Sequence, residues 1–337
     1  MPRIGVNPSR NQTLSYTPSR VTVAVLVYEP HQAGYFQHRL EVTRLTIESI
    51  LTNTAKPYEL LVFDNGSCPE MVQYLQELFD QGRIDNLILS AHNIGKLNAL
   101  YRIAQVSSGE VIAYTDDDVY HLPGWLPAHL EVLDTFPNVG AVTGFYIRQR
   151  VVMSSDSALK YAQESADTVE HGLLMPRKWE EEYMDNSGRS EKRYQDEVAG
   201  IEDVVVSCNG VKAWVSAHHF QVLTPKAVLL SVLNDMLPEG WSDQLMGRMV
   251  EMDDRMDQKG YLRLTTYQQT MRLLGNVIDD EVAALAKRDG IETRSSTKPS
   301  TKKTGLLGGI TRNRHVRNGI QGLINHLYGL LHQNGRE

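Results

Sequence analysis

Three consecutive acids, Asp116, Asp117 and Asp118, close a short apolar run, VIAYT at residues 111–115. An apolar run bounded by Gly109 on one side and charge on the other predicts a buried strand. Side chains alternate along an extended chain, so Asp116 and Asp118 are expected to face one way and Asp117 the other. Two carboxylates on one side suit a hard divalent cation such as Mg²⁺ or Mn²⁺, which substrate phosphates can help to hold. A solvated acidic turn is the plainer alternative. A second acidic group, Asp243, Glu251 and Asp254, falls at i, i+8 and i+11 and is expected on one face of a helix. Glu251 also has the i, i+4 spacing to pair with Arg255. His218 and His219 would face opposite ways on a strand, so packed or hydrogen-bonded roles are expected for them rather than a joint metal site.

These residues need a frame. Residues 21–28, VTVAVLVY, are continuously apolar, the pattern of a central strand covered on both faces. Residues 39–51 have helical spacing. A second strand is predicted at 60–63, stopping at Asp64-Asn65-Gly66-Ser67, and a helix at 69–79 with Pro69 in its first turn. A third strand at 87–89 and a loop and helix at 93–104, carrying Lys96, lead to the acidic strand. Alternation of strand and helix implies a parallel sheet with right-handed crossovers. The carboxyl ends of such strands share one rim, where ligands bind. Tyr28 and Glu29, the Asp64-to-Ser67 cluster and the acid triplet are therefore expected to converge. The chain has neither GxGxxG after the first strand nor GxxxxGK[ST], which argues against a dinucleotide oxidoreductase and a P-loop enzyme.

With 337 residues, 41% hydrophobic and 22% charged, the chain can bury a full core as one large domain with appendages or as two domains. A net charge of −7 offers no reason to expect nucleic acid as a partner. Cys68 and Cys208 are too few for a disulfide framework or zinc cluster and fit a reducing compartment. Residues 1–20 lack the apolar core of a signal peptide, and no stretch approaches the ~20 apolar residues of a membrane span. A cytoplasmic protein, either free or peripheral at a membrane, is expected.

In order and near the usual spacing, VTVAVLVY, ELLVFDNGS, NIGKLNAL and GEVIAYTDDDVYHLPGWL resemble the nucleotide-sugar-binding half of family-two glycosyltransferases of the GT-A fold. The resemblance implies an α/β fold with a Rossmann-like, mostly parallel sheet flanked by helices and followed by an acceptor-side half. It implies sugar transfer from a nucleotide-diphosphate sugar to an acceptor hydroxyl, normally with inversion, assisted by Mn²⁺ or Mg²⁺. Glycan, lipid-linked or small-molecule acceptors are implied, as in cell-surface polysaccharide or glycoconjugate biosynthesis. By position, Asp64 resembles the acid that contacts the donor's base or ribose, with Asn65 beside it, and Lys96 the basic residue near the nucleotide. Asp116 and Asp118 resemble the metal and donor acids, Asp118 being the direct ligand, and Tyr28, Glu29 and Asp117 complete the donor rim. Residues 240–264 resemble the family's helix that opens with an acid pair and runs on to an acid, an arginine and Gly-Tyr. Counting back from Gly260-Tyr261 sets Glu251 on the later acid and Arg255 on the arginine. The same count sets Arg248 and Met249 where the acid pair should stand, and in inverting members that pair supplies the general base. Glu251, Asp243 and Asp254 are then the candidates for that role. A non-catalytic or weakly active nucleotide-sugar-binding relative is the alternative. A sugar nucleotidyltransferase is a weaker one, because residues 28–34 lack a glycine-rich basic loop. Leu273 stands where a family histidine can bind the metal, so no third protein ligand is expected there.

The organisation implied is a flexible arm at 1–20, a nucleotide-sugar half at 21–146, an acceptor half of the same domain at 147–285, and a basic linker with an amphipathic helix at 286–337. Residues 148–203 read as a charged, irregular insertion or mobile loop, solvated by default. Residues 204–206 and 211–215 predict a hairpin turning at Asn209-Gly210. Trp125 belongs either to the core or to a platform for a sugar face. From residue 286 onward ten Lys and Arg oppose three acids, a net +7 against −7 for the whole chain, so the body carries −14. The apolar stripe at 319–332 is expected to pack back on the body, contact an anionic membrane or self-associate.

Overall fold

The structure, a computed structural model, describes residues 5–293 apart from 238 and 247. Strand β1 (Val21–Val27) is buried at every position because parallel strands flank it on both sides and helices cover both faces. Its Val21, Val23, Val25 and Val27 enter one hydrophobic layer, while Ala24 and Leu26 enter the other. Helix α1 (Arg39–Asn53), β2 (Glu59–Asp64), α2 (Pro69–Asp80), β3 (Asn86–Leu89), α3 (Lys96–Val106) and β4 (Val111–Asp116) follow where periodicity predicts them. Register aligns the carboxyl ends: Val27 lies opposite Asp64, Leu26 opposite Asp116, and Asp64 opposite Leu89.

After β5 (Val119–His121), α4 (Trp125–Thr135) and β6 (Val139–Thr143), the chain departs from the reading above. Residues 148–203 are structured: a 3₁₀ turn at Arg148–Val152, α5 (Asp156–Glu164), β7 (Thr168–Gly172), α6 (Arg177–Ser187) and α7 (Glu191–Val198) lead into β8 (Asp203–Cys208). Part of its charge is internal. Arg148 donates to Asp203 at 2.8 and 2.9 Å and to Glu180 at 2.6 Å, all three side chains being buried. Paired in this way, charges can enter a core, and polarity alone does not report exposure. Strand β9 (Val211–Val215) closes the expected hairpin, with Asn209 (φ 48°) and Gly210 (φ 83°) both left-handed as a type I′ turn requires. Trp125 is a core residue, fully buried with Nε1 donating to Thr54 Oγ1 at 2.8 Å.

The remaining elements are β10 (Gln221–Pro225), α8 (Lys226–Met236), α9 (Met249–Gln258), β11 (Leu262–Thr266), β12 (Met271–Leu273) and α10 (Asp280–Arg288). The main sheet has the order β3-β2-β1-β4-β10-β6-β11-β9-β8-β7, and β12 pairs with β5 beside it. Strands β1 to β4, β6, β8 and β11 run one way; β7, β9 and β10 run the other. This is an α/β architecture: a wholly parallel half joined to a mixed one.

Two boundaries need correction. Helix α9 begins at Met249, with Arg248 held at φ 57° before it, so Asp243 lies in an irregular segment and does not share a helical face with Glu251 and Asp254. A division at residue 286 would cut α10, whose Ala286 is buried against Val42, Leu45 and Tyr120, and the next residues stay on the body. Asp289, for example, accepts from Tyr120 Oη at 2.7 Å. The basic linker beyond 293 and the 319–332 stripe lie outside the described residues. Among the described residues no helix is long and apolar enough to cross a membrane.

Candidate active site

The ends of β1, β2 and β4 are knitted together. Asn65 N–H donates to Val27 O at 2.9 Å, Cys68 N–H to Glu29 O at 2.7 Å, Glu29 N–H to Ser67 Oγ at 2.9 Å, and Tyr28 N–H to Asp117 Oδ2 at 3.3 Å. The three polar clusters therefore occupy one rim. Asp64 accepts from the Gly66 and Ser67 amides at 3.2–3.3 Å, which shapes its own turn, and burial raises its pKa despite those bonds. Gly66 (φ +87°) is required there, since a Cβ would stand 2.7 Å from Asn93 N. Asn65 reaches the loop before α3, accepting from Ile94 N–H at 2.9 Å and donating to Asn93 Oδ1 at 3.0 Å.

The acid triplet is not laid out by simple alternation. Strand β4 ends at Asp116, and Asp117 and Asp118 form the turn into β5, so the extended geometry stops before they are reached. Asp116 pairs with Lys96 Nζ at 2.5 Å and accepts from Tyr114 Oη at 2.6 Å. Asp117 and Asp118 instead share Arg39, whose Nη1 lies 3.3 Å from one carboxylate and 3.0 Å from the other. Asp117 is buried and also accepts from Thr43 Oγ1 at 3.2 Å, while its carbonyl accepts from Thr46 Oγ1 at 3.0 Å. The Asp118 side chain keeps 25% of its surface exposed against 9% for Asp117. Burial first, then the neighbouring acids, hold both carboxyls above the ordinary carboxylate range, with Arg39 opposing. Glu29 is fully buried and pushed up to about 8 by burial, with Asp117 and Glu41 adding.

The sequence reading missed Arg39, Thr43 and Thr46. Their i, i+4, i+7 spacing marks one face of α1, and a polar stripe among apolar residues was the available signal.

The family model for glycosyl transferase family 2 matches residues 36–194, the segment that carries Arg39, Asp64, Lys96 and the acid triplet. Over those residues the chain is similar to glycosyl transferase family 2. A glucosyl-dolichyl phosphate glucuronosyltransferase of Haloferax volcanii is 30% identical over 112 residues, which are 33% of this chain and 35% of that protein. The chain thus spans about a third of the length of this curated relative. Partial structural likenesses include residues 1–349 of TarS from S. aureus (TM-score 0.42, 12% identity, 75% of this chain and 60% of that one). Another is glucosyl-3-phosphoglycerate synthase from Mycobacterium tuberculosis, solved with Mn²⁺, UDP and glucosyl-3-phosphoglycerate (TM-score 0.38, 14% identity, 81% and 80%). The architecture stands on the strand order itself rather than on these likenesses.

Arg248 and Met249 stand at the start of α9, where the resemblance would set an acid pair. Glu251, one turn in, is clasped by Arg248 and Arg255, each at 2.8 Å. Arg248 foremost, with Arg255, holds its carboxylate down to about 2, so it accepts protons poorly. Asp254 accepts from Ser154 Oγ at 2.5 Å. Asp243 is exposed on the segment that docks on α3, where Leu245 O accepts the Lys96 N–H at 3.0 Å and Asn98 and Ser242 exchange bonds at 2.7 and 2.8 Å. Of the two histidines, His218 is packed, stacked on Phe220 at 3.5 Å, and His219 is hydrogen-bonded, its Nδ1 lying 2.7 Å from Asp253. The segment around Leu273 adjoins the acidic turn, Leu274 N–H donating to Asp118 O at 2.8 Å.

Among the described residues no three His, Cys, Asp or Glu are grouped to hold a metal by themselves. The donor set nevertheless fits a Mg²⁺-type site. Three carboxylates face two cations, Arg39 and Lys96, which leaves a negative surplus, and Asp118 is the acid most open to solvent of the Arg39-bound pair. Such ions take one or two carboxylates and complete their shell with phosphates and water.

Proposed function

We propose that the protein is a metal-dependent, inverting glycosyltransferase that moves a sugar from a nucleotide-diphosphate sugar to an acceptor hydroxyl. One observation carries the reading: three strand ends meet at a single rim where Asp116 and Asp118 stand with Lys96 and Arg39. Asp118, with Asp116, would hold Mn²⁺ or Mg²⁺, which when bound neutralises charge on a diphosphate. Tyr28, Glu29, Asp64, Asn65 and Asp117 form the donor side of the rim, and Lys96 and Arg39 supply fixed positive charge next to it. The Haloferax volcanii relative's name gives glucosyl-dolichyl phosphate as the species it acts on, in keeping with a lipid-linked acceptor here.

A non-catalytic nucleotide-sugar-binding relative is the second reading, favoured by Arg248-Met249 in place of the acid pair. A panel of nucleotide sugars, with and without Mn²⁺, separates the two. Wild-type protein is expected to show Mn²⁺-dependent thermal stabilisation and release of nucleotide diphosphate, with both lost in Asp118→Asn. Binding without release supports the second reading. Undiminished metal-dependent binding in Asp118→Asn removes Asp118 from the metal site.

A further inference from the structure

Helix α9 offers no unencumbered carboxylate for the proton of an acceptor hydroxyl. Its family position is Arg248-Met249, Glu251 is locked between two arginines, and Asp254 is bound to Ser154. The helix does present a different acid inward. Asp253, 1% exposed, contacts Arg263 Nη2 at 2.7 Å through Oδ1, and through Oδ2 contacts His219 Nδ1 at 2.7 Å and Arg150 Nη1 at 3.5 Å. Two guanidiniums already offset its charge, so the imidazole is not needed for neutralisation. What the contact does is orient the ring. Beside a carboxylate that two guanidiniums also contact, Nδ1 is the ring nitrogen placed to donate, and in the neutral ring the lone pair then lies on Nε2.

His219 is also in the right part of the molecule. Strand β10 runs antiparallel to β4 with Gln221 opposite Thr115, and Phe220 O accepts the Asp116 N–H at 2.8 Å. His219 is the residue before Phe220, so it sits where β10 starts, at the carboxyl end of β4 that carries the acid triplet. Its side chain is 18% exposed, and its Nε2 makes no hydrogen bond among the described residues.

We infer that His219, positioned by Asp253, is the general base of the transfer; this deepens, and depends on, the glycosyltransferase reading above. His219 Nε2 takes the proton of the acceptor hydroxyl while that oxygen bonds to the anomeric carbon. The bond from that carbon to the diphosphate oxygen breaks, and its electron pair leaves with the diphosphate. The imidazolium then returns its proton to solvent.

The test uses the full chain with UDP-glucose, UDP-glucuronate and GDP-mannose in the presence of Mn²⁺, reading nucleotide diphosphate released and nucleotide affinity. His219→Gln is expected to lose about 10²–10⁴-fold in kcat with KM and nucleotide affinity unchanged. Added imidazole should restore part of the turnover to His219→Ala. Asp253→Asn should lower kcat with KM unchanged, a split that mere loosening of the fold would not give. If that variant fails to fold by circular dichroism, the two His219 variants decide. Turnover in His219→Gln within about twofold of wild type overturns the base and leaves the proposed function standing. Loss of nucleotide affinity together with turnover makes His219 a donor contact and also overturns it. A wild-type protein that binds these nucleotides without turning them over removes the base and supports the non-catalytic reading. One that binds none of them overturns the proposed function itself.

Discussion

The parallel half, β1 to β4 with their helices, and the mixed half, from β6 to β11, put charge to opposite uses. In the parallel half the strands are apolar along their length, and Asp64, Asp116, Asp117 and Asp118 collect at their ends. Charge there marks the site. In the mixed half charge runs through the interior. Asp203 accepts five hydrogen bonds, from Tyr146 Oη, Arg148 Nε and Nη2, and the amides of Leu174 and Met175. Arg263, with no exposed surface, joins Asp253 to the carbonyls of Ser154 and Ala217. A strand flanked by parallel neighbours has its backbone satisfied by the ladder and needs only apolar side chains. The mixed half joins short pieces from distant parts of the chain, and buried ion pairs tie them.

The largest expected effect probes those ties. Asp203→Asn keeps the shape but puts an amide donor where two or three donors already point. It should cost about 3–5 kcal/mol in urea unfolding, the usual penalty for breaking a buried pair. A loss under about 1 kcal/mol would mean that these charges are effectively solvated, and the contrast between the halves would collapse.

Glu29→Gln tests the rim, where a buried acid is held at a cost to stability. Its folded-state pKa of about 8 lies above the ordinary 4.5. The native protein therefore keeps a proton that the unfolded chain has released across that window, and stability falls as pH rises through it. The glutamine variant cannot ionise, so it should match wild type near pH 4 and exceed it at pH 8 by about 4 kcal/mol. Melting curves at the two pH values check this, and an equal difference at both would show that Glu29 ionises freely in the fold.

The smallest effect is predicted for Glu251→Gln. The pair with Arg248 and Arg255 is a third exposed, so stability should drop by no more than about 1 kcal/mol. Turnover should stay within about twofold. A hundredfold loss of kcat at constant nucleotide affinity would return the base to the family's helix and remove it from His219.

Much of the parallel half was legible residue by residue. The runs at 21–28, 60–63 and 111–115 fall on β1, β2 and β4, and the Asn209-Gly210 turn closes its hairpin. The reading failed where geometry changed within a motif. Alternation predicts that Asp116 and Asp118 face one way and Asp117 the other, yet the strand ends at Asp116 and Arg39 pairs Asp117 with Asp118. It failed again where charge was equated with solvent, at residues 148–203, and where helical spacing was extended back to Asp243, which lies ahead of α9.

The sequence by itself determined the order of strands and helices in the parallel half and the rim on which their polar ends gather. Those features follow from local periodicity and from continuous apolar runs, which act over a few residues. Only the tertiary structure decided which charges meet. Arg39 and Asp118 are 79 positions apart, and His219 and Asp253 are 34 apart. Each of those pairs is set by how whole elements pack, and a side chain carries no local mark of the partner that packing will bring to it.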